Sequence, residues 1–103
     1  MPLDPDRPSW AITWDEAKRS SNMRKHGLDF KEVAKVLVGR HDTFTALDTR
    51  RDYGEDRYIT IGRLHDRCVV IVHTETDSIF RVISMRHAER NEEEAYYQAL
   101  KNL

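Results

Sequence analysis

Residues 67–88 read RCVVIVHTETDSIFRVISMRHA and hold two apolar runs separated by a short polar turn. The first run, 67–74, is almost wholly apolar, which is typical of a central strand that is covered on both faces. The polar residues 76–78 form a turn, and 79–85 is predicted to be the last strand of the sheet. Because the turn is short, the two strands should pair in the antiparallel sense.

Toward the N-terminus, the residues predict one more strand and two helices. Alternating apolar residues over 10–14 predict a short first strand. The segment 13–16 has the pattern of a capping box for a helix over 14–26, which Gly27 would end in a left-handed cap. A second helix is predicted over 29–39, capped by its first aspartate and stopped by its last glycine.

The segments on either side of the central pair complete the prediction. Strands over 41–47 and 57–63 flank a charged loop, 48–56. Asn91 with Glu94 forms a second capping-box pattern, which predicts a C-terminal helix. The apolar face of that helix would carry Ala95, Tyr96, Ala99, Leu100 and Leu103.

The order of these elements, β-α-α-β-β-β-β-α, predicts an α+β domain with a mainly antiparallel sheet. At 103 residues the chain is long enough for one domain, predicted over 10–103 behind a loose proline-containing tail over 1–9. No apolar run approaches the ~20 residues that cross a membrane. The lone Cys68 lies in an apolar run and is interpreted as a small core residue of a cytoplasmic protein.

The formal net charge of −1 means that any contact with nucleic acid must use a local basic surface. Two clusters of cations could supply one: the basic turn 24–27 and the stretch 81–88. Arginine is costly to bury without an anionic partner or an open groove, so these clusters favour a phosphate-bearing ligand. Arg81 and Arg86 are an odd number of residues apart and share a face only if the strand ends near Ser84.

Four segments, 12–18, 22–30, 55–62 and 81–88, resemble the BrnT toxin family in their residues, order and spacing. The resemblance covers all but the tail and implies a RelE-like fold and a small ribonuclease toxin of a type II toxin–antitoxin pair. It implies as partner a BrnA-like antitoxin with a ribbon-helix-helix DNA-binding half. RNA would be the substrate, and the complex would contact operator DNA and repress its own operon.

The site residues that the resemblance implies are Lys25, His26, Glu55, Arg57, Arg81, Ser84, Arg86 and Tyr97. RNA can be cut without a metal when a 2′-hydroxyl attacks its own phosphodiester and the enzyme moves the protons and stabilises the charge. His26 suits the proton steps, and the three arginines, as catalytic residues, suit the charge. The other four would bind RNA. No metal or cofactor is expected, because the histidines are scattered and no glycine-rich phosphate loop is present.

Simpler roles are open for most of these residues. Lys25 and His26 lie at a predicted helix end, where the macrodipole favours cations without any function. Glu55 and Arg57 could form only an ion pair at a strand edge. Tyr97 could pack against the helix's neighbours instead of stacking on a base, and the match to the family could fall on the adjacent aromatic residue.

Two other functions compete with the nuclease. A catalytically weak or inactive toxin homologue could act as an antitoxin-bound corepressor, which the near-neutral charge and the acidic run 92–94 would favour. Direct DNA binding is a weaker hypothesis, because no helix-turn-helix pattern is present. His73 alternates with apolar residues and is interpreted as a core histidine.

Overall fold

The structure is a computed structural model and describes residues 11–37 and 42–102. Its elements are, in chain order, β1 (Ala11–Trp14), α1 (Glu16–His26), a 3₁₀ turn (Phe30–Glu32) that leads into α2 (Val33–Leu37), β2 (Phe44–Leu47), β3 (Tyr58–Leu64), β4 (Arg67–Glu75), β5 (Ile79–His87) and α3 (Arg90–Lys101). The predicted tail, the strand residues Trp10 and His41, the helix stop at Gly39 and the apolar Leu103 lie outside the described residues.

The strands form one five-stranded sheet in the order β1-β5-β4-β3-β2. Only β1 pairs in parallel, with β5, and the other three pairings are antiparallel. The predicted α+β class with a mainly antiparallel sheet is therefore confirmed. The apolar run that begins at Arg67 forms β4, which lies in the middle of the sheet, as its composition predicts.

The two faces of the sheet are covered by different elements. One face packs on the segment that contains α2, and its buried core consists of Leu28, Phe30, Val33, Val36, Leu64, Val69, Ile71, Phe80, Val82 and Met85. The opposite face, called the outer face below, carries α3. Tyr96 anchors this helix, because its hydroxyl donates to the Asp42 carbonyl at 2.7 Å and its ring meets that of Phe44 edge-on. No helix in the described ranges is both long and apolar enough to cross a membrane.

A β-bulge in β5 brings two of the predicted site residues onto one face. Val82 is opposite His73 and Ser84 is opposite the neighbouring Val72, which leaves Ile83 as an extra residue. Arg81 is consequently opposite Thr74 and Arg86 opposite Val70, four residues apart on β4 and both on the outer face. The expectation that Arg81 and Arg86 share a face only if the strand ends near Ser84 is wrong, since β5 continues to His87 and the bulge changes which residues face outward.

The predicted start of the first helix is also wrong. Asp15, not the threonine at 13, is the N-cap, and its carboxylate accepts hydrogen bonds from the backbone N–H groups of Ala17 and Lys18. Trp14 stays in β1 because it pairs with Val82 in the parallel ladder. The predicted end is confirmed, as Gly27 has a φ of 70° and donates its N–H to the Met23 carbonyl.

The remaining helices start differently from their predicted capping patterns. Asp29 does cap the second helical segment, where it accepts from the Lys31 N–H at 3.0 Å, but the first turn is 3₁₀ and α2 is short. In α3 the capping box is Glu89 with Glu92, not Asn91 with Glu94. The Glu92 carboxylate accepts from the Glu89 N–H at 2.8 Å, which fixes the start two residues earlier.

Gly62 marks the closest approach of α2 to the sheet. A Cβ at this position would lie 2.7 Å from Val36 Cγ1 and 2.9 Å from Thr43 Cγ2. We expect Gly62→Ala to lower the free energy of unfolding by roughly 1–3 kcal/mol through overpacking, as measured by urea denaturation. Combining it with Val36→Ala should cost less than the sum of the two single changes, and strict additivity would contradict the proposed clash.

Candidate functional site

Two arginines, Arg57 from the loop before β3 and Arg81 from β5, meet at one carboxylate on the outer face. The Arg57 Nε lies 3.2 Å from Glu55 Oε2, and Arg81 Nη2 lies 3.0 and 3.1 Å from the two Glu55 oxygens. The side chains of Glu55 and Arg81 are 39% and 40% exposed, so an incoming anion can reach them. These three residues are called the Glu55 cluster below.

The electrostatics of the Glu55 cluster keep its carboxylate ionised. Burial raises the pKa of Glu55, but the hydrogen bond from Arg57 and the charge of Arg81 outweigh burial and leave the pKa below its usual value. Arg57 is supported from below by an aromatic ring, because its guanidinium carbon lies 4.2 Å from the centroid of Tyr53. The cluster therefore presents two guanidinium groups, both held by the Glu55 carboxylate and one also by the Tyr53 ring.

Arg86 shares the outer face with Arg81 but has a carboxylate partner of its own. Its Nη1 and Nη2 atoms lie 2.7 and 2.8 Å from the two oxygens of Glu92, in a bidentate pair that is about three-quarters buried. The hydrogen bonds that Arg86 donates to the Glu92 carboxylate raise the pKa of Arg86. Thr74 and Val70, the partners of the two arginines, are four residues apart, which corresponds to about 13 Å along β4. Arg86 is thus on the same face as the Glu55 cluster but not within it.

A groove of about 230 Å³ between α1 and β5 brings together three other predicted residues, Lys25, His26 and Ser84. It is lined by Lys18, Ser21, Asn22, Lys25, His26, Ile83 and Ser84, and is called the α1 groove below. The cations come from the last turn of α1, which Gly27 ends, and the hydroxyl comes from β5 directly after the bulge. The eight predicted site residues therefore do not form a single cluster.

Tyr97 lies away from the Glu55 cluster, near the opposite end of β4. It is 37% exposed and lies close to Arg63 and Cys68, which pair with each other near the β3–β4 turn. Cys68 is six residues from Thr74, which is the partner of Arg81. The neighbours of Tyr97 and of Arg81 on β4 are therefore about 20 Å apart along the strand. Cys68 is buried as predicted, and burial raises the pKa of its thiol.

Asn22 is the main residue of this region that the sequence argument missed. It is 6% exposed, and its Nδ2 donates to the carbonyls of Leu28 at 3.0 Å and Met85 at 2.9 Å. Its Oδ1 accepts from the Met85 N–H at 3.1 Å, so the amide continues the hydrogen bonding of the β5 edge past the end of β1. Asn22 thereby fixes α1, and with it Lys25 and His26, against β5. The only signal was its place in the segment 22–30 that resembles the family.

His73 is a core residue, as the sequence argument interprets it. Its side chain is fully buried, its Nε2 lies 2.7 Å from Thr60 Oγ1, and its ring stacks on Phe80 at a centroid distance of 4.0 Å. Burial lowers its pKa from 6.5 to about 4. The ring is therefore neutral at pH 7, and its 3.5 Å contact with Glu75 is then not an ion pair.

The lowered pKa of His73 predicts that acid weakens the fold. Unfolding exposes an imidazole of ordinary pKa that binds a proton more readily, so the contribution is full above pH 6.5 and is lost as the pH falls toward 4. Between pH 7 and pH 5 we expect a loss of about 2 kcal/mol from this group, measured by urea denaturation. His73→Gln should show a flatter pH dependence over that interval, and an unchanged slope would contradict the assignment.

The described ranges hold no group of three or more His, Cys, Asp or Glu side chains that could bind a metal ion together. The positive charge that could face an anion is provided by arginine and lysine. The outer face of β5 and its edge are involved, since the Glu55 cluster lies on the outer face and the α1 groove lies where β1 stops covering the edge.

The chain is similar to known proteins in both sequence and structure. The chain matches the profile of the family described as "Ribonuclease toxin, BrnT, of type II toxin-antitoxin system" over residues 14–92. Its structure is similar to the crystal structure of the Brucella abortus ribonuclease toxin BrnT, with 28% sequence identity and a TM-score of 0.59 over 80% of this chain and 100% of that chain. No curated protein matches it. Because the profile covers well over half of the sequence, the chain belongs to the BrnT family of ribonuclease toxins of type II toxin–antitoxin systems.

Proposed function

We propose that this protein is an endoribonuclease toxin that cuts RNA in the bacterial cytoplasm without a metal and so inhibits translation and growth. The observation that carries the proposal is the Glu55 cluster, in which Arg57 from the β2–β3 loop and Arg81 from β5 converge on one exposed anionic group. A phosphodiester has the same charge and the same paired oxygens as the carboxylate that the arginines already hold. In architecture we propose that the chain belongs with the RelE-like toxins.

The reaction would be an internal transesterification. The ribose 2′-hydroxyl loses its proton and attacks the adjacent phosphorus, the bond to the 5′-oxygen breaks, and that oxygen takes up a proton. The products are a 2′,3′-cyclic phosphate and a 5′-hydroxyl end. Arg57 and Arg81 would stabilise the extra negative charge on the phosphorane oxygens, where charge develops during the attack.

The α1 groove would supply the proton transfers. His26 would act as general acid or base, because an imidazole titrates near neutrality. Lys25 and Ser84 line the same groove and would hold phosphate oxygens by charge and by hydrogen bonding. Glu55 would bind RNA as an acceptor for a ribose hydroxyl, since its ionised carboxylate repels phosphate and accepts hydrogen bonds.

The two remaining predicted residues would act away from the scissile bond. Arg86 lies on the face that holds Arg81 and would contact a flanking phosphate in competition with Glu92. Tyr97 has an exposed edge near the β3–β4 turn and would stack on a distant base.

The partner would be a BrnA-like antitoxin with a ribbon-helix-helix half, through which the complex binds operator DNA. Membership of a type II toxin family supports a protein antitoxin. The net charge of −1 supports DNA binding through the antitoxin, because the chain alone lacks the strong positive charge of proteins that bind duplex DNA directly.

The proposal is tested by inducing the protein in bacteria and mapping RNA ends. We expect growth arrest and new ends with 2′,3′-cyclic phosphate, and purified protein should cut RNA equally with and without EDTA. His26→Ala should lower cleavage by ~10²–10⁴-fold, the range for losing a general acid or base. His65→Asn, at an exposed turn position with a φ of 59° that asparagine tolerates, is the matched control. Intact RNA after induction would contradict the nuclease, and loss of cleavage in EDTA would contradict metal independence.

A further inference from the structure

The loop that carries the Glu55 cluster is organised around one buried carboxylate, Asp48. The side chain of Asp48 is 0% exposed, although the side chain of its ion-pair partner Arg50 is 60% exposed. Its Oδ1 accepts from Arg50 N at 3.1 Å and Arg50 Nε at 2.9 Å, and its Oδ2 accepts from Arg50 Nη2 and Tyr53 Oη at 2.9 Å each. Hydrogen bonds from Arg50 hold the pKa of Asp48 well below its usual range.

Asp48 reaches the Glu55 cluster by two routes. Its backbone N–H donates to the Arg57 carbonyl at 2.7 Å, which closes the loop between β2 and β3. Its carboxylate holds the hydroxyl of Tyr53, and the Tyr53 ring lies against the Arg57 guanidinium. The chain of contacts Asp48–Tyr53–Arg57 thus connects a fully buried anion to a fork that faces the proposed substrate.

The burial of the Asp48 carboxylate costs free energy unless hydrogen bonds compensate it. A carboxylate taken out of water needs several hydrogen bonds, and this one receives four from residues within its own loop. An exposed loop of this length would otherwise sample many conformations, and with them many positions of Arg57. The network therefore restricts the position of the guanidinium before any ligand arrives.

We propose that Asp48 is a positioning residue for RNA cleavage, which acts through Tyr53 to hold Arg57 where the reacting phosphate binds. This inference rests on the proposed function, because it assigns a role within that reaction. Asp48 does not touch the substrate. Its loss should therefore lower kcat, through misplaced Arg57, much more than it raises KM.

The test is steady-state cleavage of an oligoribonucleotide by Asp48→Asn in two backgrounds, wild type and Arg57→Ala. In the wild-type background we expect kcat to fall by about 30-fold, within the range for a misplaced catalytic group. In the Arg57→Ala background the same change should cost less than about 3-fold, because the group that Asp48 positions is already gone. Asp66→Asn, at an exposed position of the β3–β4 turn, is the control and should keep wild-type rates.

A second variant keeps the inference testable if Asp48→Asn does not fold. Tyr53→Phe removes only the hydroxyl that donates to Asp48 and should lower kcat by about 3-fold to 10-fold, again only when Arg57 is present. Equal losses of kcat in both backgrounds, or a wild-type kcat in the folded variants, would overturn the positioning role of Asp48 but not the proposed nuclease function. Uncut RNA with the wild-type protein would overturn the proposed function and this inference together.

Discussion

Arg81→Ala is expected to lower RNA cleavage by ~10²–10³-fold, the usual cost of removing a preorganised donor from developing negative charge. Arg81 contributes the Nη2 atom that contacts both oxygens of Glu55 and is the more exposed arginine of the cluster. Its removal leaves Glu55 paired with Arg57, so the fold should survive. The measurement is kcat/KM on an oligoribonucleotide, together with growth after induction.

Two further variants make this prediction specific. Arg81→Lys keeps the positive charge but loses the planar fork, and it should remain at least ~10-fold below wild type. Arg90→Ala is the control, because its side chain is 94% exposed and its ion pair with Glu94 lies on the surface of α3. Cleavage by Arg81→Ala within a factor of about two of wild type would remove Arg81 from the proposed site.

Asn22→Ala is expected to lower the free energy of unfolding by about 3 kcal/mol, because buried backbone groups of Leu28 and Met85 would lose their partners. For a domain of this size the melting temperature should fall by roughly 15 °C. Urea and thermal denaturation measure both quantities. Asn91→Ala, at an exposed position in the first turn of α3, should change stability by less than about 0.5 kcal/mol.

Asn22→Asp distinguishes hydrogen bonding from packing at the same site. The carboxylate is nearly the same size but cannot donate to the carbonyls of Leu28 and Met85, and it adds an uncompensated charge. We expect it to be at least as destabilising as alanine at pH 7. Near-wild-type stability of Asn22→Asp would show that the amide's donors contribute little.

Most of the sheet could be predicted from the sequence, because the spacing of apolar residues within a strand indicates which of its side chains are buried. The wholly apolar run in β4 predicts its central place, and the alternation in β3 predicts its faces. Helix starts were less predictable. In both long helices, several residues that can cap stand close together, and tertiary contacts decide between them, such as the pairing of Glu92 with Arg86.

The sequence proposes the residues of the candidate site but not their geometry. Resemblance in four short segments identified the cations, yet their grouping depends on which strand residues are opposite each other. Glu55 is shared by two arginines only because β5 and the loop before β3 meet on the outer face. The burial of Asp48 and Asn22 could not be predicted from neighbouring residues, since it arises from loop closure for Asp48 and from contacts with distant residues for Asn22.

The surplus residue Ile83 has a consequence for how relatives of this chain should be compared. Arg81 and Arg86 are five residues apart in the sequence, but their partners on β4 are only four residues apart. In a strand without a bulge, the same two positions would be held by residues four apart. A homologue shortened by one residue here would retain both cations on the same surface. A sequence alignment should therefore place a gap at this position, because the gap matches arginines that lie on the same face of the sheet. A gapless alignment would mismatch them.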